Sequence, residues 1–186
     1  MAKIIKLEKI KEKEIIKAIK QGKIIIYPTD TVYGIGCDAL NSDSVLKIRM
    51  MKGRDAEKPF SVIAPSKKWV CKNFEVNNSY IQKLPGPFTF ILKAKKEKLV
   101  SNQVSDSNLI AVRIPDHPIT GIIQKANTPF VTTSLNMSGE QTISDIKKIP
   151  NKMQKQADII IDAGILISKP STIIDLTGKI ARIIPR

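Results

Sequence analysis

Lys23-Ile24-Ile25-Ile26-Tyr27-Pro28-Thr29-Asp30-Thr31-Val32-Tyr33-Gly34-Ile35-Gly36 is the stretch that decides the fold class. The short apolar run over 23–27 reads as a buried strand; Pro28 breaks it, Thr29-Asp30-Thr31 forms a turn, and the strand resumes over 32–36. Upstream, the spacing predicts a Lys-rich amphipathic helix over 8–21, with Ile15, Ala18 and Ile19 on one face and Gly22 as its stop. Downstream, Asn41 or Ser42 opens a second helix as an N-cap, Val45, Leu46, Ile48 and Met50 are expected to point inward, and Gly53 ends it.

The same alternation continues. Strands are expected over 60–64, 88–94, 109–114, 130–134 and 158–162, and helices over 66–72, 78–84, 118–126 and 151–156. Pro85-Gly86-Pro87 stops the helix before it, and the polar stretch 95–108 has the length and composition of a mobile or functional loop, with high mobility expected. Segments 172–176 and 179–184 flank Thr177-Gly178 as a hairpin. Helix-strand alternation implies parallel crossovers while the hairpin requires an antiparallel pair. The expectation is therefore an α/β fold, one twisted mixed sheet flanked by helices, in a single domain over 1–186.

Composition bounds the function. With 186 residues, 42% of them hydrophobic, the chain can bury a sizeable core. Its 31 Lys and Arg against 17 Asp and Glu give a net charge of +14. That charge reads either as affinity for an anionic partner or as a Lys-rich compositional bias, since charge alone governs only non-specific attraction. Cys37 and Cys71 lack metal-ligand spacing, no apolar run is long enough for a membrane span, and the N-terminus lacks the apolar segment of a secretory signal. These features predict a cytosolic, soluble protein with reduced thiols. The single histidine, His117, excludes a multi-histidine metal centre and leaves a nucleophile-histidine pair only one possible base.

Chemistry concentrates in Lys52-Gly53-Arg54 and Ser134-Leu135-Asn136-Met137-Ser138-Gly139, each beside a core strand. Arg supplies a planar fork of donors and Lys a compact charge, while Ser and Asn add orienting neutral hydrogen bonds; together they suit a phosphate-bearing ligand. Strand ends are also where open α/β sheets bind ligands. Each residue has a plainer reading. Lys-Gly-Arg can be a capped helix end, Thr29 and Thr31 a turn, and Ser134 and Asn136 backbone-satisfying groups. Arg113 is either an outward solvated residue or aimed at an anion, and His117 either a helix-entry residue or a substrate contact. Tyr33, Phe88 and Cys37 read as core.

Six blocks carry a family resemblance in order: 27–34 (Tyr-Pro-Thr-Asp-Thr-Val-Tyr-Gly), Lys52-x-Arg54 followed by Lys58-Pro59-Phe60, Pro85-Gly86-Pro87-Phe88-Thr89, 111–118 (Ala-Val-Arg-Ile-Pro-Asp-His-Pro), Ser134-x-Asn136-x-Ser138-Gly139, and 171–176 (Ser-Thr-Ile-Ile-Asp-Leu). Over about 24–184 the chain resembles the YrdC-like threonylcarbamoyl-AMP synthases. The resemblance implies a YrdC/RibB-like fold with a concave basic cleft. It also implies condensation of L-threonine, bicarbonate or CO2, and ATP to threonylcarbamoyl-AMP and pyrophosphate, for N6-threonylcarbamoyladenosine at position 37 of tRNA. By the same resemblance Lys52, Ser134, Asn136 and Arg182 face ATP; Thr31, Arg54, Arg113 and Ser171 surround threonine; and Lys52 and Arg54 are catalytic. Mg2+ arrives with ATP rather than in a protein metal site, and a downstream threonylcarbamoyl transferase takes the product.

Two departures stand out. Longer synthases carry a further C-terminal domain, so the chain resembles the minimal single-domain type. Many members also have a histidine a few positions after Lys-Pro, and 60–64 (Phe-Ser-Val-Ile-Ala) has none, which leaves room for the YciO-like paralogues. The alternative of another class is a double-stranded RNA- or tRNA-binding protein using diffuse lysines, without turnover.

Overall fold

The computed structural model describes residues 2–55 and 58–185. In chain order the elements are β1 (Lys3–Lys6), α1 (Glu12–Lys20), β2 (Ile25–Tyr27), β3 (Gly34–Gly36), α2 (Ser42–Lys52), β4 (Ser61–Ile63), α3 (Lys67–Asn73), β5 (Phe74–Glu75), α4 (Asn78–Ile81), β6 (Phe88–Ala94), β7 (Leu109–Arg113), α5 (Pro118–Lys125), β8 (Phe130–Ser134), α6 (Asn151–Gln156), β9 (Ile159–Asp162), β10 (Thr172–Asp175) and β11 (Arg182–Ile184), with single 3-10 turns at Leu7–Lys9 and Ile146–Lys148. The strands join in one mixed sheet in the order β1-β9-β2-β3-β8-β4-β7-β6-β10-β11, and β5 pairs with β6. The pairs β1/β9, β2/β9, β4/β7 and β6/β10 are parallel and the others antiparallel.

The run over 23–27 is apolar without interruption because its two faces meet two cores. Ile24 and Ile26 pack with Ile35, Val62, Val112 and Val131 under α2 and α6, whose Val45, Ile48, Met51 and Met153 join them. Ile25 and Tyr27 point the other way, against Ile15, Ala18 and Ile19 of α1 and Ile119, Ile122 and Ile123 of α5. Side chains alternate along a strand, so a strand covered on both faces cannot use a polar residue at either phase.

Several boundaries and faces differ from the sequence expectation. The first helix begins at Glu12, and Lys3–Lys6 forms β1 parallel to β9, where its lysines had masked a strand one residue pair long in isoleucine. In α2 the expected inward Leu46 and Met50 are 42% and 68% exposed, while Arg49, Met51 and Lys52 are buried with Val45 and Ile48. Helical spacing decides this: 45, 48 and 52 share a face and 46 and 50 do not, and hydrophobicity alone misassigned them. The loop 95–108 was expected to be mobile, yet Val100 and Val104 are buried, Ser101 N donates to Ala39 O at 2.8 Å, and Phe60 N donates to Val104 O at 2.8 Å. The hairpin of β10 and β11 forms as expected. Among the described residues Cys37 and Cys71 are free, and no helix is long and apolar enough to cross a membrane.

Gly36 sets the closest approach of β3 to β8. A methyl group built there would lie 1.8 Å from Val131 O and 2.5 Å from the Phe130 ring. Gly36→Ala should therefore lower unfolding free energy by about 3 kcal/mol, the upper range for overpacking a core, read as a drop in urea midpoint. An unchanged midpoint would show that the two strands are free to separate.

Candidate functional site

A cleft of about 140 Å³ opens where β2, β7 and β8 end and β3, β4, β6 and β10 begin. Most of its lining is hydroxyl (Thr29, Thr31, Ser61, Thr89, Thr132, Ser134 and Ser171 among them), joined by two cations, Arg54 and Arg113. The expected basic character thus narrows, at the cleft itself, to two guanidiniums set among neutral oxygens.

The turn after β2 is built by its own side chains. Thr29 Oγ1 donates to Val32 O at 2.7 Å and accepts from Thr31 N at 3.1 Å, and lies 3.0 Å from Thr31 Oγ1. With the Thr29 proton spent on Val32 O, Thr31 must be the donor between the two hydroxyls, which leaves the Thr31 oxygen as an acceptor at the cleft. Thr29 is therefore a turn former, and Thr31 both a turn former and a cleft residue.

Arg113, at the end of β7, is 7% exposed and forms a salt bridge from Nη2 to Asp30 Oδ1 at 2.6 Å. The other Asp30 oxygen accepts from Asp116 N at 3.1 Å, so one carboxylate ties the first turn to the turn after β7. Arg113 is thus not an outward solvated residue. Its buried Nε has no hydrogen-bond partner among the described residues. Leaving a buried N–H unsatisfied costs about 1–3 kcal/mol, so an acceptor brought by a ligand would be favoured there. Burial pulls the Arg113 pKa down, against the pull of Asp30.

Lys52 ends α2, whose N-cap is the Asn41 side chain and whose C-cap is Gly53 in the left-handed region at φ 56°. Only 1% exposed, it donates to Ser134 O at 2.6 Å, Asn136 O at 2.7 Å and Asn136 Oδ1 at 3.1 Å. An ammonium has three donors, and all three are spent on the turn after β8. Ser134 Oγ also donates to Asn136 Oδ1 at 2.6 Å, and Asn136 Nδ2 donates to Glu140 O at 2.7 Å. Lys52, Ser134 and Asn136 are therefore brought together as one network, of which Ser134 lines the cleft while Lys52 and Asn136 lie behind it. Burial, then the nearby Arg54, pulls Lys52 down to about 7.

Arg54 follows the helix into the cleft, with Nε donating to Lys58 O at 3.1 Å and Nη2 to Pro59 O at 2.8 Å. Ser171 closes the far wall, 2.8 Å from Thr89 Oγ1. The four residues expected around threonine, Thr31, Arg54, Arg113 and Ser171, thus line one cleft. Arg182, expected to face ATP, is exposed on β11 beyond β10 and is not among the cleft's lining residues. His117 is a helix-entry residue: its Nδ1 accepts from Ile119 N at 3.3 Å as the N-cap of α5. Tyr33 is core as expected, its hydroxyl donating to Gly164 O and accepting from Ala163 N. Sequence reading missed Ser61, Thr89, Thr132 and the Asp30–Arg113 pair. Thr89 falls within the Pro-Gly-Pro-Phe-Thr block and could have been found there; the others are joined only by strand register.

Among the described residues no three His, Cys, Asp or Glu side chains gather as a metal site. The donor set that the cleft does offer, neutral hydroxyl oxygens, suits Mg2+ only as a complement to phosphate oxygens.

The Sua5_yciO_yrdC family, described as "Telomere recombination", matches residues 17–186. A Methanocaldococcus jannaschii protein, provisionally named a threonylcarbamoyl-AMP synthase, is 39% identical over 186 residues, covering 94% of this chain and 87% of its own. The threonylcarbamoyl-AMP synthase of Coxiella burnetii strain RSA 493 is 33% identical over 178 residues, covering 90% and 94%. A crystal structure of P. abyssi Sua5 complexed with L-threonine superposes with a TM-score of 0.84 at 28% identity; it covers 98% of this chain, which spans only 56% of that longer protein. The chain belongs to the Sua5/YciO/YrdC family.

The Lys52 environment has a measurable consequence. Unfolded, Lys52 keeps its proton up to its ordinary pKa of 10.5; folded, it releases it near 7. Between those values unfolding takes up a proton, so this residue makes stability rise with pH. Relative to Lys52→Met, the wild type should gain stability as pH is raised from 7 to 10. An opposite trend in the difference between the two urea midpoints would show that the ammonium is favoured in the fold.

Proposed function

We propose that the chain is a threonylcarbamoyl-AMP synthase, condensing L-threonine, bicarbonate or CO2, and ATP to threonylcarbamoyl-AMP and pyrophosphate. The observation that carries this reading is the cleft itself, which Arg54 enters from the end of α2 and Arg113 from the end of β7, and which the hydroxyls of Thr31, Ser134 and Ser171 also line. A carboxylate and a carbamate on one small molecule need cations, and an amine and a metal-bound triphosphate need fixed acceptor oxygens beside them. A phosphodiester backbone would be served by diffuse lysines, and these hydroxyls are the feature that favours a small ordered ligand over RNA.

The chemistry follows from charge. The threonine amine attacks CO2 and loses a proton, giving a carbamate; a carbamate oxygen attacks the α-phosphorus of ATP, and the bond to pyrophosphate breaks. Nucleophile and leaving group are both substrate atoms, so no protein nucleophile is needed. The protein's task is to bring anions together and hold them in line. Arg54 anchors the threonine carboxylate and, with Lys52, supplies the positive field toward the α-phosphorus. Arg113 offers its unpartnered Nε to the amino-acid end. Lys52, Ser134 and Asn136 form the nucleotide side, with Arg182 as its outlying member. The Thr31 and Ser134 hydroxyl protons are spent inside the protein, so their oxygens meet the substrate as acceptors, the polarity suited to MgATP. Mg2+, when bound with ATP, supplies charge neutralisation at the triphosphate. The labile product is then consumed by a transferase acting on adenosine 37 of tRNA, which places the reaction in the cytoplasm.

Pyrophosphate release should require ATP, threonine and bicarbonate together, with serine a poor substitute, and should stop on chelation of Mg2+ by EDTA. Arg54→Lys, which keeps the charge and loses the planar fork, should reduce release at least ~100-fold, the size seen when one preorganised donor is lost. Wild-type-like release by that variant would remove Arg54 from the site. Absence of release by folded wild type would favour a YciO-like protein without this activity.

A further inference from the structure

Arg54 does not enter the cleft as a free side chain. Its Nε and Nη2 are engaged by the carbonyls of Lys58 and Pro59, and its guanidinium carbon lies 5.1 Å from the centre of the Phe60 ring. The same ring receives a second guanidinium, that of Arg49, at 4.8 Å. Phe60 is wholly buried and Arg49 nearly so. Arg49 grips the same segment from behind: Nη1 donates to Asp55 O and to Lys58 O, the latter at 3.1 Å, and Nη2 donates to Gln103 O at 2.7 Å. Lys58 O thus accepts from both arginines.

Two guanidiniums on one ring and one carbonyl is a costly arrangement. Like charges repel, burial removes the hydration of Arg49 and part of that of Arg54, and among the described residues neither forms a salt bridge. What the arrangement achieves is orientation. One edge of Arg54 is held by backbone and one face by the ring, so Nη1 and the remaining Nη2 proton are the donors left for the cleft. Arg49 fixes Lys58 O, one of the two carbonyls that hold Arg54, anchors the same segment at Asp55 O, and adds a second positive charge behind it.

We propose that Arg49 and Phe60 are positioning residues that clamp Arg54, holding its free edge toward the anion bound in the cleft. This deepens the synthase reading and rests on it for the identity of the natural substrate, though the clamp itself concerns any anion that Arg54 binds. Lys at position 49 keeps the charge but cannot hold three carbonyls with a planar fork. Leu at position 60 keeps an apolar side chain but removes the face on which both guanidiniums rest.

The test is a double-mutant cycle in the full chain, with two readouts. Calorimetric affinity for inorganic pyrophosphate and kcat/KM for threonine-dependent pyrophosphate release are measured for Arg49→Lys, Phe60→Leu, Arg54→Ala and the two doubles, alongside thermal midpoints. Each clamp variant should lose about tenfold in both readouts when Arg54 is present and less than about twofold in the Arg54→Ala background, the non-additivity expected of residues acting through one another. Any fall in thermal midpoint should be the same in both backgrounds. Equal losses in both backgrounds, or no loss in the Arg54 background, would overturn the clamp. If Phe60→Leu fails to fold, the Arg49→Lys arm decides alone. Wild type that binds pyrophosphate with the predicted coupling but does not turn over threonine would sink the synthase reading and leave the clamp standing. Turnover with additive losses would do the reverse.

Discussion

The cleft depends on one buried amino group. Lys52 Nζ lies within hydrogen-bond distance of three oxygens of the turn after β8, and Ser138 N returns a hydrogen bond to Lys52 O at 3.0 Å, so the C-terminus of α2 and the end of β8 are joined from both sides. Removing the side chain would take a donor from Ser134 O, Asn136 O and Asn136 Oδ1, of which the last keeps Ser134 Oγ, while keeping it obliges the fold to bury a group whose charged form is costly. The helix end, the Ser-x-Asn turn and the path of Arg54 into the cleft all follow from that bond set. The sequence blocks Lys52-x-Arg54 and Ser134-x-Asn136 are in this sense one structural unit divided over 82 residues.

Proton bookkeeping sets the cleft's polarity. Thr31 and Ser134 spend their hydroxyl protons inside the protein, and Arg54 and Arg113 spend part of their forks on Lys58, Pro59 and Asp30. The remaining groups are acceptor oxygens and the free edges of two guanidiniums. A ligand with separated anionic groups and N–H or metal-borne positive charge complements that pattern; a uniformly anionic polymer complements only half of it. Asp30 has a double role, neutralising part of the Arg113 charge and fixing the turn that carries Asp116.

Much of this was legible in the chain. The 23–36 stretch gave the paired strands because Pro28 and the Thr-Asp-Thr turn admit little else, and Asn41 and Gly53 bounded α2 because capping chemistry is local. Strand register was not legible, so Thr132 beneath Tyr27 and Ser61 on the cleft wall went unseen; both depend on pairings between segments about 70–105 residues apart. The faces of α2 were misread because a buried Lys and a buried Arg violate hydrophobic patterning, and only tertiary carbonyls make their burial tolerable. Functional sites are where such violations are expected, and here Arg49, Lys52 and Arg113 are all of this kind.

We propose that one cleft, lined by Arg113, Thr31, Arg54 and Ser171, receives the amino acid. An amide NMR titration of the full chain with L-threonine tests it most directly. Saturable shifts should be confined to the residues around Thr31, Arg54, Arg113 and Ser171, and should be lost in Arg113→Ala. Saturable shifts elsewhere with these four segments unmoved, or no shifts at all, would contradict it.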